Sequence, residues 1–97
     1  MKTSYPVVIS KGEKYLIATV PDCEIDTQGE NIGDAIKMAR DAISLWCVCK
    51  IDGGHSLPKP SEISEISHAV DDIVTLVDVD IDAYRHEIAG VQVMDVV

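Results

Sequence analysis

The densest run of reactive side chains in this chain is Asp78, Asp80 and Asp82, three carboxylates at alternate positions of IVTLVDVDID. On an extended strand alternate residues share a face, with neighbours about 6.5–7 Å apart. Asp22, Glu24 and Asp26 alternate in the same way near the middle of the N-terminal half. Hard divalent cations take oxygen ligands, so strands that brought Asp22, Asp26, Asp78 and Asp80 together would make a metal-dependent nuclease site. Against that chemistry, the first apolar run, YPVVIS, carries no acid at all. The plainer role of the aspartate row is a solvated outer face that discourages edge-to-edge pairing, and this reading is preferred.

The other reactive types point to no catalysis. His55, His68 and His86 are scattered and match no metal-ligand spacing, no G-x-S-x-G elbow is present, and Gly29, Gly33, Gly53 and Gly54 make no phosphate-cradling pattern. The three cysteines are an odd number. Cys47 and Cys49 point about 200° apart on a helix, so they neither pair nor share a metal and read as small core hydrophobes. Cys23 falls in a turn and reads as the reactive one. No metal, cofactor or catalytic residue is expected.

Seventeen acidic residues against eight basic ones leave a formal charge of -9. The resulting field repels phosphate backbones, which disfavours direct nucleic-acid binding by this chain alone and favours a basic partner. MKTSYPVVIS lacks the apolar run of a signal peptide, and no stretch reaches the roughly 18 apolar residues of a membrane span. A soluble cytoplasmic protein is the expectation. A chain of 97 residues holds one small core, which a homodimer formed by strand pairing or tail exchange would help to stabilise.

The element that must position these side chains is NIGDAIKMARDAISLWCVCKIDGG, residues 31–54. At the 3.6-residue period Ile32, Ala35, Ile36, Ala39, Ala42, Ile43 and Trp46 fall on one face, widened on one flank by Met38, Leu45 and Cys49. Asp34, Lys37, Arg40, Asp41 and Ser44 share the opposite arc. Asn31 is placed to cap the first turn, Asp34 to make a weaker capping box, and Gly53-Gly54 to end the helix. About twenty residues give a rod roughly 30 Å long. Its apolar face requires a sheet beneath it.

YPVVIS and YLIATV, joined by Lys11-Gly12-Glu13, predict a hairpin, with Pro6 placing the start of the first strand at an edge or outside the ladder. EIDTQ reads as a third strand with Ile25 and Thr27 inward. HSLPKP is a loop, and SEISEISHA a short helix capped by Ser61. Residues 73–82 predict a strand covered on both faces in its first half, then Val77, Val79 and Ile81 inward and the aspartates outward. Because a helical crossover precedes it, this strand is expected parallel to its neighbour. The tail offers a strand at Val91–Val93 or an apolar stub.

YPVVISK, YLIATVPD, DTQGENIGDAIKMARDAISLW, LPKPSEI and VTLVDVDIDAYR succeed one another in a way that resembles the HicB-like antitoxin family, over about Tyr5 to Arg85. The resemblance implies an α+β, partial ribonuclease H-like β-β-β-α-(α)-β fold, read here as a three-stranded antiparallel meander plus one parallel strand with the main helix on one face. It also implies a partner, a small basic HicA-like mRNA interferase toxin whose catalytic histidine the antitoxin covers. Residues 1–86 would form this domain. Residues 87–97 would be a short tail, a remnant of or stub before a DNA-binding domain that longer relatives carry. Asp22, Glu24, Asp26, Asp78 and Asp80 are the residues expected to meet the toxin. The alternatives are a stand-alone oligomerisation or ligand-sensing domain without a toxin, and the nuclease described above.

Overall fold

The computed structural model describes the backbone of residues 1–96 and the side chains of residues 1–88. Four strands, β1 (Lys2–Lys11), β2 (Leu16–Val20), β3 (Ile25–Gly29) and β4 (Ile73–Asp80), form one sheet in the order β3-β2-β1-β4. Helix α1 (Ile32–Asp52) packs on one face and helix α2 (Ile81–Val96) follows β4 directly. The hairpin closes where expected, with the Gly12 amide donating to the Tyr15 carbonyl at 2.9 Å. The core comprises Tyr5, Val7 and Ile9 of β1, Ala18 and Val20 of β2, Val77 and Val79 of β4, and Ala35, Ala39, Ile43 and Cys47 of α1. These are alternate positions on the strands and helical ones on α1, the two periods by which each element presents one apolar side.

The α1 caps form as the sequence indicates. The Asn31 side chain accepts from the Asp34 amide at 2.8 Å, and Asp34 returns the favour to the Glu30 amide at 2.9 Å rather than to Asn31. The buried face is rotated from the predicted one. Ser44, assigned to the polar arc, is buried and turns its hydroxyl onto the Arg40 carbonyl at 2.8 Å, whereas Ile32, Met38, Leu45 and Cys49 are exposed. A hydroxyl that bonds its own helix can enter a core at little cost.

Several expectations are corrected. β4 is antiparallel to β1, with Ile9 opposite Ile73 and Lys2 opposite Asp80. β1 and β3 both oppose β2, so α1 starts at the end of the sheet where β1 finishes and carries the chain to the other end. A short link from there would have started a parallel strand. Residues 53–72, which can reach about 60 Å when extended, instead bring the chain back, so β4 enters from the far end. Along this return Ser61 bonds Asp22 instead of capping, and a single turn at Ile63–Glu65 lies beside β4, with Glu65 accepting from the Glu62 amide.

β1 is central to the sheet, but its start, with Pro6, pairs with β4 alone, because pairing with β2 begins only at Val8–Thr19; on that side it is the open edge that the proline indicates, and no ladder bond is interrupted. The first half of β4 is not covered on both faces, since Ile73 and Leu76 are 43% and 52% exposed. The tail is helical, not stranded, at Val91–Val93. The Asp80 carboxylate accepts from the Ala83 amide at 3.1 Å, which starts the helix, and Arg85 bonds Asp52 of α1. Val97 and the side chains that would form an apolar tail contact lie outside the described residues.

Candidate functional site: the two open edges of the sheet

The five acids expected at the partner surface do not form one patch. β3 and β4 are opposite edges of the sheet, three strand spacings or about 14 Å apart. Asp22 sits in a single turn at Pro21–Cys23, half-buried, and accepts both the Ser61 amide at 2.8 Å and the Ser61 hydroxyl at 2.6 Å. Its work is to anchor the return loop. Asp80 is half-buried as the cap of α2. Asp78 is exposed and bound by Arg40, whose Nη2 donates to its carboxylate at 3.0 Å and whose Nε donates to its main-chain carbonyl at 2.9 Å. The Arg40 hydrogen bond, helped by the charge of Arg40, holds the Asp78 carboxyl below the usual carboxylate range.

At the other edge, Glu24 and Asp26 are exposed. Glu24 occupies the left-handed region at φ 53°, where its amide closes the preceding turn onto the Pro21 carbonyl. Asp26 and Gln28 point to the solvent side of β3, while Ile25 and Thr27 lean inward as predicted. Next along the chain come Glu30 and Asp34, so acids follow one another from the turn before β3 to the first turn of α1. Among the described residues, no ion pair reaches Glu24, Asp26 or Glu30.

The surface along β3 is indented, as it is also where Ile9 and Leu16 meet Asp71 and Ile73. A cleft of about 320 Å³ lies between the beginning of β3 and the last turns of α1, lined by Glu24, Trp46, Lys50 and Ser56. A second, of about 340 Å³, lies over Ile17, Asp26 and Gln28, and a third, of about 230 Å³, over Tyr15, Glu30, Asp34 and Met38. Trp46 and Lys50 were not expected here. Trp46 is half-buried rather than in the core, and Lys50 Nζ lies 5.4 Å from its ring centroid. The i,i+4 spacing of Trp46 and Lys50 was the available signal.

The geometry does not suit the nuclease chemistry. Asp22 and Asp26 lie at one edge and Asp78 and Asp80 at the other, and no three His, Cys, Asp or Glu among the described residues are grouped to hold a metal ion. Nor is Cys23 reactive. It is 3% exposed, and burial, assisted by Cys47 and Asp22, pushes its thiol up to about 12. Cys47 is buried as expected, but Cys49 is exposed. Among the described residues, no helix is long and apolar enough to cross a membrane.

Known proteins share this arrangement. A chain of a toxin–antitoxin complex from Streptococcus pneumoniae is 22% identical, with a TM-score of 0.77 over 87% of this chain and 73% of that one. The N-terminal domain of the Burkholderia pseudomallei antitoxin HicB is 28% identical, with a TM-score of 0.71 over 80% of this chain and 99% of that domain. A chain of a HicA3–HicB3 toxin–antitoxin complex gives 22% identity and a TM-score of 0.61 over 80% of this chain and 99% of its own length. No curated protein matches the sequence. The profile of the HicB-like antitoxins of bacterial toxin–antitoxin systems matches residues 5–94. With that match spanning nearly all of a four-stranded sheet and helix of the same fold, the chain belongs to the HicB-like antitoxin family.

Proposed function

We propose that this chain neutralises a small basic toxin, a HicA-like mRNA interferase, by binding it and covering its active site. The observation that carries the reading is the family match over residues 5–94. The surface supports it. A formal charge of -9 is complementary to a basic protein, and complementary fields speed encounter and fix register. The solved relative with HicA3 and HicB3 makes the partner class concrete. In this reading the chain acts by occupancy, not by catalysis, and needs no metal.

Direct binding to DNA by this chain alone is not part of the proposal. The charge argues against it, since a field of this sign repels phosphates. Co-expression tests the main reading. The chain should restore growth to cells expressing the toxin encoded beside it and should co-purify with that toxin; persistent arrest with both proteins present in soluble form would refute it.

A further inference from the structure

We infer that the toxin docks on the open edge of β3 through a basic extended segment added to the sheet as a fifth strand, a placement that rests on the antitoxin reading above. The sheet has two open edges, and they differ in what already occupies them. On β4, Arg40 takes both the carboxylate and the main-chain carbonyl of Asp78, so part of that edge has an internal donor. On β3 no such strap is present among the described residues. Every Lys and Arg of the chain, eight in all, lies within them, and none pairs with Glu24, Asp26 or Glu30.

An edge strand pairs on one side only, so the outward amides and carbonyls of Ile25–Gly29 are available to a further strand. Alternate side chains of an added strand would stand about 7 Å apart. Glu24, Asp26 and Glu30 each line one of the three successive clefts along β3, offering a carboxylate to basic side chains spaced in that way. Beside the edge, Met38 of α1, which lines the third cleft with Gln28 and Gly29, is 40% exposed and gives the incoming segment an apolar contact. Charge selects the occupant. A second copy pairing β3 to β3 would bring the Asp26 and Glu24 carboxylates of two chains to one edge, whereas lysine or arginine beside them would be met by opposite charge.

The test uses the full chain and the purified toxin from the neighbouring gene, with binding titrated and main-chain amide exchange mapped in the complex. The toxin should protect Ile25–Gly29. Glu24→Lys with Asp26→Lys should weaken binding at least thirtyfold, and Glu24→Gln with Asp26→Asn, which removes charge with less risk to the fold, about fivefold. Asp78→Lys with Asp82→Lys, on β4 at the opposite edge and in the first turn of α2 beyond it, should change it less than threefold. Protection confined to Ile73–Asp80, or equal losses from the two edges, would overturn the β3 placement while leaving the antitoxin reading intact. Absence of any binding by the unaltered chain would overturn both.

Discussion

At the scale of single residues, Glu24 is the place where stability and binding are expected to diverge. A non-glycine residue at φ 53° carries a cost on the order of 1 kcal/mol that glycine does not. Glu24→Gly should therefore leave the fold as stable or raise its stability by up to about 1 kcal/mol, while weakening the complex with a basic toxin. Chemical denaturation and a binding titration on the same sample check both halves. The thiols give a second expectation. Cys23 and Cys47 are buried with raised pKa values, so at pH 8 a thiol reagent should modify Cys49 alone in the native protein and all three after unfolding. Sequence alone reversed this assignment, because a turn context says nothing of what covers the turn. Cys23 lies among the core residues, whereas Cys49 lies on an exposed flank of α1.

Among the elements, α1 was the most legible, since its cap, its length and most of its buried face follow from local periodicity. Its junction with β3 is the tightest point of the fold. A Cβ on Gly29 would lie 2.3 Å from the Ala35 amide nitrogen and 2.6 Å from the Ala35 Cα, both main-chain atoms that a side-chain rotation cannot move. Gly29→Ala should cost about 3 kcal/mol by forcing helix and strand apart, and thermal unfolding would show it. The direction of β4 was not legible, because it depends on where a long irregular segment runs, and no local period records that. α2 was missed for a related reason. Its valines favour strands locally, and although the Asp80 cap is a local signal, the Arg85 bridge to Asp52 acts across the chain.

The attachment of α2 carries a pH dependence of definite sign. Hydrogen bonds from Arg85 and from the Met1 amine hold the Asp52 and Asp82 carboxyls below the usual range. A depressed folded-state value means that the contribution is complete above the ordinary carboxylate value of about 3.9 and disappears as pH falls through the lower one. Amide protection in the first turns of α2 should thus be unchanged from pH 7 to 5 and fall only below about pH 4. Loss of protection already between pH 7 and 5 would show that these contacts do not secure the helix. Because both carboxylates are exposed, the effect should be local rather than a global unfolding.

For the molecule as a whole, the family was legible in the succession of segments from YPVVISK to VTLVDVDIDAYR, and the family match over residues 5–94 agrees with that. Composition added the sign of the surface charge. Which acids face the partner was not legible. Asp22 and Asp78 are engaged by Ser61 and Arg40, both distant in sequence, and Asp80 caps the helix that follows it; only the folded sheet separates these three from Glu24 and Asp26. Among the described residues no three carboxylates converge, although the sheet has acids at both edges. The most direct measurement of this account is cleavage of a reporter RNA by the purified toxin as the purified chain is added. Cleavage should stop once the chain exceeds the toxin, and addition of Mg²⁺ or Mn²⁺ to the chain alone should release no RNA fragments. Undiminished cleavage in the presence of excess chain, or cleavage by the chain itself, would contradict it.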